Sequence, residues 1–215
     1  MSPRKHVVIT GTGRSGTTFL VELLTHLGLD TGFTLEKLQA KKHRGARAGL
    51  ELDIRRENCP YIVKAPAFCE IAQEIIRRDD IVIEHIFVPM RDLYSAAESR
   101  RFVEKGTLSD MSFLQRLEVA DTRQGLIGGL WGTTSIEPGK QEEILLRQIY
   151  ELMLAISDAT LPVTVMRYPR IVKDCPYLFE KLKPILRGIT YEPFHEAFSK
   201  AVRPELIHSF SKNDC

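Results

Sequence analysis

The segment Gly11-Thr12-Gly13-Arg14-Ser15-Gly16-Thr17-Thr18 has the residue types of an anion-binding loop. Its glycines let the backbone turn tightly and come close to a ligand. It stands between a short apolar run, residues 6–10, and a helical pattern that begins at Thr17. A helix starting there leaves its first N–H groups unsatisfied, and its dipole favours negative charge at that end. Thr17 and Thr18 add hydroxyl donors, and Arg14 adds a planar, permanently charged fork. A phosphate or sulfate is the expected occupant. Metal chemistry has no such pattern behind it. The six histidines form no HxH or HxxxH pair, and Cys59, Cys69, Cys175 and Cys215 form no CxxC pair. No metal site is expected, and the thiols are expected to be free, as in a reducing compartment.

Such a loop works only if a strand and a helix hold it. Residues 6–10 predict a short buried strand, and residues 17–27 a helix with Phe19, Leu20, Leu23, Leu24 and Leu27 on one face. Gly28 and Gly32 mark its exit. Residues 35–56 are polar and basic, with Lys41, Lys42, His43, Arg44 and Arg47. They fit either a solvated face or a cap over an anionic ligand. Residues 61–63 form a short strand that ends at Lys64, and residues 68–77 a helix. Residues 81–88 read as a strand covered on both faces, interrupted only by Glu84 and His85. A helix from 93 to about 103 follows, then a loop over 105–110, a helical stretch over 111–119 and an irregular, glycine-rich stretch over 125–139. Residues 141–157 predict a long amphipathic helix, 161–166 a strand and 175–186 a final helix. Strands alternate with helices, so an α/β fold with a parallel sheet and right-handed crossovers is expected. The 215 residues suffice for one domain, 1–215, with its own core.

The loop is similar to a Walker A motif, GxxxxGK[ST], except that Thr17 stands at the lysine position. That lysine reaches the β- and γ-phosphates of a nucleoside triphosphate. The apolar strand 81–90 also ends in Arg91-Asp92, with the arginine first, instead of running directly into a magnesium-binding Asp. A small-molecule or nucleotide kinase with a degenerate loop is therefore the alternative reading. Residues 13–20, Gly-Arg-Ser-Gly-Thr-Thr-Phe-Leu, resemble the 5′-phosphosulfate loop of the sulfotransferase family, with Arg14 at its lysine position as in many bacterial and Golgi members. Residues 88–99, Val-Pro-Met-Arg-Asp-Leu-Tyr-Ser-Ala-Ala-Glu-Ser, resemble that family's 3′-phosphate motif, in which a strand-end arginine is followed eight residues later by a serine. Arg91 and Ser99 have that spacing, and Ser99 falls about two turns into the next helix. Both can then face one phosphate in the crevice at the strand ends, where open α/β sheets bind ligands. Ile62-Val63-Lys64-Ala65-Pro66 and Val163-Thr164-Val165-Met166-Arg167-Tyr168 resemble two further strand ends of the family. The resemblance spans most of residues 6–187. It implies a three-layer α/β fold with a mostly parallel sheet flanked by helices, P-loop NTPase-like in type. The chain departs from cytosolic members in two ways: it lacks their C-terminal Arg-Lys-Gly segment, and Pro66 occupies the position of their catalytic histidine.

The resemblance implies a 3′-phosphoadenylyl sulfate (PAPS)-dependent sulfotransferase that moves a sulfuryl group in line to a hydroxyl or amine, without a metal. Gly13, Arg14, Ser15, Gly16, Thr17, Thr18, Arg91 and Ser99 would hold the co-substrate PAPS. Arg14 and Lys64 would stabilise charge at the leaving oxygen. The base would come from the segment after the first helix; Ala48-Gly49-Leu50-Glu51 loosely resembles the family's stretch there, so Glu51 is favoured over Glu36 and His43. The acceptor would be a small molecule, glycan or lipid, in a pocket built from residues 35–56 and 105–139. Trp131 would pack in the core or over a ring of the ligand. A nucleotide-binding protein without catalysis is a third reading.

Composition bounds the partners. A net charge of +2 and a pI near 8.3 lack the strong basic excess of a nucleic-acid binder. Hydrophobic residues at 43% and charged residues at 27% are ordinary for a globular chain. No apolar run approaches the roughly 20 residues that span a bilayer. The apolar stretch at the N-terminus is only Val7 to Ile9, too short for a secretory signal, and a cytoplasmic location is expected. Nothing in the pattern specifies an oligomeric state.

Overall fold

The computed structural model describes residues 2–40, 49–110 and 139–207. Strands β1 (Arg4–Ile9), β2 (Ile62–Lys64), β3 (Ile81–Met90) and β4 (Val163–Arg167) form one sheet in the order β2-β1-β3-β4. Every pairing is parallel. Parallel strands need crossovers, and helices supply them, so the sheet is flanked on both faces. On one face Val7, Ile9, Ile62, Phe87 and Met166 pack with α1 (Thr17–His26), α6 (Cys175–Leu182) and α7 (Tyr191–Ala201). On the other, Val8, Val63, Ile86 and Val88 pack with α3 (Phe68–Ile76) and α5 (Lys140–Ser157).

The polar interruption inside β3 has a geometric cause. The register of β1 on β3 runs His6 to Ile83 and then Val7 to His85, so Glu84 is an extra residue. One added residue inverts the alternation of faces. Ile81 and Ile83 therefore share a core face with Ile86 and Val88. Glu84 instead accepts from Tyr61 Oη at 2.6 Å and pairs with Lys5 at 2.8 Å.

Two expected boundaries are corrected. Helix α4 is Leu93–Asp110, so residues 105–110 continue the helix. Gly106 lies inside this helix, and one interior glycine costs only about 1 kcal/mol in a stretch free of proline. The segment after β4 is not one last helix: α6 stops at Leu182, a 3₁₀ turn covers Lys183–Ile185, and α7 follows. Pro184 removes the N–H that would extend α6. In α7 Pro193 sits in the first turn, where its missing N–H is tolerated, and Phe194, Ala197, Phe198 and Ala201 form the buried stripe. A short helix, α2 (Leu35–Ala40), opens the basic stretch. The expected elements over 111–119 and 125–138 lie outside the described residues. No described helix is long and apolar enough to cross a membrane.

Candidate functional site

Because all four strands are parallel, their carboxyl ends share one edge. Along that edge lie Lys64 at the end of β2, the 11–16 loop after β1, Arg91 after β3 and Tyr168 after β4. The ladder runs one residue past three of these ends: Ala65 N donates to Ile9 O at 3.0 Å, Thr10 N to Phe87 O at 3.0 Å and Tyr168 N to Met90 O at 2.7 Å. Loop and strand ends are thus fixed to one another through backbone.

The loop turns through left-handed backbone at Gly13, φ 66°, Arg14, φ 53°, and Gly16, φ 90°. At Gly16 a Cβ would sit 3.0 Å from both Ile171 Cδ1 and Tyr168 Cδ2, so the segment after β4 closes directly on the glycine. Thr17 and Thr18 open α1, and Gly16 caps it without a side-chain bond. Ser15 is fully buried, and its Oγ has no hydrogen-bond partner among the described residues. An unsatisfied buried hydroxyl is costly in an apolar setting, and one placed at a helix N-terminus is a donor for an anion.

Two motifs distant in sequence meet here. Arg14 Nε donates to Ser99 Oγ at 3.2 Å across a separation of 85 residues. Arg91 donates to Arg14 O at 3.2 Å, and its guanidinium lies 5.0 Å from the centre of the Tyr168 ring. Burial lowers the pKa of Arg14, and the charge of Arg91 lowers it further. Burial likewise lowers that of Arg91. Beside Arg91 a cavity of about 430 Å³ opens at the carboxyl ends of β3 and β4, lined also by Met90, Asp92, Arg167 and Tyr177.

Lys64 is a third cation at this edge. Its side chain is only 3% exposed, not solvated. Its ammonium uses three directions: Thr18 Oγ1 at 2.8 Å, Gly49 O at 2.6 Å and Glu51 Oε1 at 2.8 Å. Burial lowers its pKa, the Glu51 carboxylate counters, and Arg14 adds to the lowering. Burial pushes the Glu51 carboxyl up, but the Lys64 charge and hydrogen bond, with its own and the Gly49 backbone N–H, bring it below the ordinary carboxylate value. The backbone that presents Glu51 is left-handed at Gly49, φ 123°, and Leu50, φ 66°.

No protein-family model matches this chain, and no curated protein matches it. The site is therefore read from its own geometry. Gly13, Arg14, Ser15, Gly16, Thr17, Thr18, Arg91 and Ser99 come together, and Lys64 with Glu51 joins them through Thr18. Glu36 is exposed on α2 and bonds to Thr34, while its rival Glu51 contacts the cluster. His43 and Trp131 lie outside the described residues. Among the described residues no three His, Cys, Asp or Glu side chains gather as metal ligands.

Sequence reasoning missed three residues. Arg100, fully buried, donates to Gln141 Oε1 at 2.7 Å and reaches Thr12 O at 3.5 Å, so it backs the loop from behind. Its neighbour Arg101 ties α4 to α5 through Glu142 at 2.8 Å. The only signal was a pair of arginines just after Ser99, which reads equally as a solvated face. Tyr168, at the end of β4, was visible only as part of a strand-end likeness. Four cations, Arg14, Lys64, Arg91 and Arg100, thus surround or back one short loop. That arrangement is suited to a ligand with more than one negative charge.

Proposed function

We propose that this chain is a sulfotransferase with a P-loop NTPase-like fold. It binds 3′-phosphoadenylyl sulfate between the 11–18 loop and the Arg91–Ser99 pair and passes the sulfuryl group to a hydroxyl or amine of an acceptor. One observation carries the reading: the loop and the arginine–serine pair, separate in sequence, are in direct contact through Arg14 and Ser99 at 3.2 Å. Thr17 at the lysine position of the loop supports a sulfate donor over a nucleoside triphosphate.

The step is an in-line displacement. The acceptor oxygen forms a bond to sulfur while the bond from sulfur to the bridging phosphate oxygen breaks. Adenosine 3′,5′-bisphosphate leaves with the electron pair, and the acceptor proton passes to Glu51. Arg14, half-buried and oriented by Ser99, and Lys64, buried and oriented by Thr18, supply positive charge for the leaving oxygen. Glu51 is held ionised beside Lys64, so it is a weak base and takes the proton late, as bond formation to sulfur acidifies the hydroxyl.

Thermal-shift measurements with adenosine 3′,5′-bisphosphate and with ATP–magnesium test this. At free ligand 100-fold above its dissociation constant, the bisphosphate should add about 2.7 kcal/mol, or roughly 5–10 °C for a chain of this length. Stabilisation by ATP–magnesium alone points to the kinase reading. Stabilisation by the bisphosphate without transfer to any acceptor from labelled donor points to a nucleotide-binding protein that lacks catalysis.

A further inference from the structure

Helix α5 is apolar on two opposite sides. Its buried side carries Gln141, Ile144, Leu145, Gln148, Leu152 and Ala155. At 100° per residue, Leu146, Tyr150, Met153 and Leu154 project the other way. They are 58%, 69%, 37% and 47% exposed. A helix on a globular surface normally turns polar residues outward. Single exposed apolar residues are ordinary, but four in one stripe at i, i+4, i+7 and i+8 mark an interaction surface.

We propose that this stripe joins two copies of the chain, with α5 packed antiparallel on α5 about a two-fold axis at Tyr150. The stripe is complementary to itself under that operation. Leu146 lies against the partner's Met153 and Leu154, and the two Tyr150 rings meet at the axis. The charges agree as well. Arg147 and Glu151 flank the same edge of the stripe, and antiparallel packing sets each Arg147 within roughly 3 Å, along the axis, of the partner's Glu151. Within one chain these two side chains are 3.5 Å apart and largely exposed, so the pair is readily exchanged. One helix pair buries roughly 1,000 Å², the low end for a specific interface, so association should depend on concentration. The inward side of α5 keeps its ties to Arg100 and Arg101, which leaves the loop undisturbed.

Sedimentation equilibrium of the full chain over a hundredfold concentration range tests this. The expected result is a species of twice the 24.5 kDa chain mass at the upper end. Leu146→Asp and Tyr150→Glu should each abolish it with unchanged circular dichroism, and with unchanged melting at dilutions where the wild type is also monomeric, since both positions face solvent in the single chain. Arg147→Glu should weaken the dimer about tenfold, and the added Glu151→Arg change should restore it. A monomer at every concentration would overturn the inference. So would a dimer indifferent to Leu146→Asp, or one that the paired charge swap fails to rescue.

Discussion

Replacing Lys64 by methionine isolates the charge pair at the heart of the site. Methionine keeps most of the apolar stem but offers no donor to Thr18 Oγ1, Gly49 O or Glu51 Oε1. Removing one member of a fully buried ion pair costs about 3–5 kcal/mol. Glu51 is 22% exposed and regains part of its hydration, so about 2–3 kcal/mol is expected at neutral pH. For a chain of this length that lowers the melting temperature by roughly 5–10 °C. The pH dependence is the sharper readout. Glu51 is held below the ordinary carboxylate value, so its contribution is complete above about pH 4.3 and is lost as pH falls through the lower folded value. In Lys64→Met, burial acts on Glu51 without the lysine to oppose it, and the carboxylate becomes a liability at neutral pH. The deficit relative to wild type should therefore be largest near neutrality and shrink as pH falls first through the raised Glu51 value of the variant and then through the lowered value of the wild type. Paired melting curves, with Glu51→Gln completing a double-mutant cycle, measure this. A deficit that is the same in acid and at neutrality would mean that Lys64 contributes packing alone, and the reasoning about the charge pair would fail.

Arg91→Ala should raise the dissociation constant for adenosine 3′,5′-bisphosphate at least about tenfold, through the loss of a charge-assisted contact; calorimetric titration giving wild-type affinity would remove Arg91 from the site. Glu51→Gln should lower kcat while the bisphosphate affinity stays near wild type, and an unchanged rate would end its role as base. Gly16→Ala should cost about 2 kcal/mol, combining left-handed backbone strain with crowding against Tyr168 and Ile171. Gly13→Ala, at φ 66° with no heavy atom within 4 Å of the added carbon, should cost only about 1 kcal/mol. Equal melting temperatures for the two variants would refute the close approach of Tyr168 to the loop.

Much of the architecture was legible because it rests on local signals. The apolar runs at 6–10, 81–88 and 161–166 match β1, β3 and β4 to within a few residues, and the 141–157 periodicity matches α5. The structure departs from the expected loop over 105–110 and from the expected final helix over 175–186 where one residue type is compatible with two structures. Gly106 is tolerated inside α4, and Pro193 sits in the first turn of α7 although proline inside a helix breaks it. Lys64 could be placed at a strand end from sequence, but its burial could not, because burial depends on Gly49, Glu51 and Thr18 folding over it.

The amino-acid order by itself determined the strand–loop–helix unit around residues 11–18 and the helical offset between Arg91 and Ser99, since both depend on neighbours within a few turns. Only the tertiary structure decided that these two units touch. Strand order is a non-local property: β1 pairs with β3 across more than seventy residues, and that pairing sets Arg91 against the loop while β2, on the other side, brings Lys64. The buried arginine behind the loop and the exposed stripe on α5 were hidden for the same reason. A helical residue's facing is set by what packs against it, and no local pattern states what that will be.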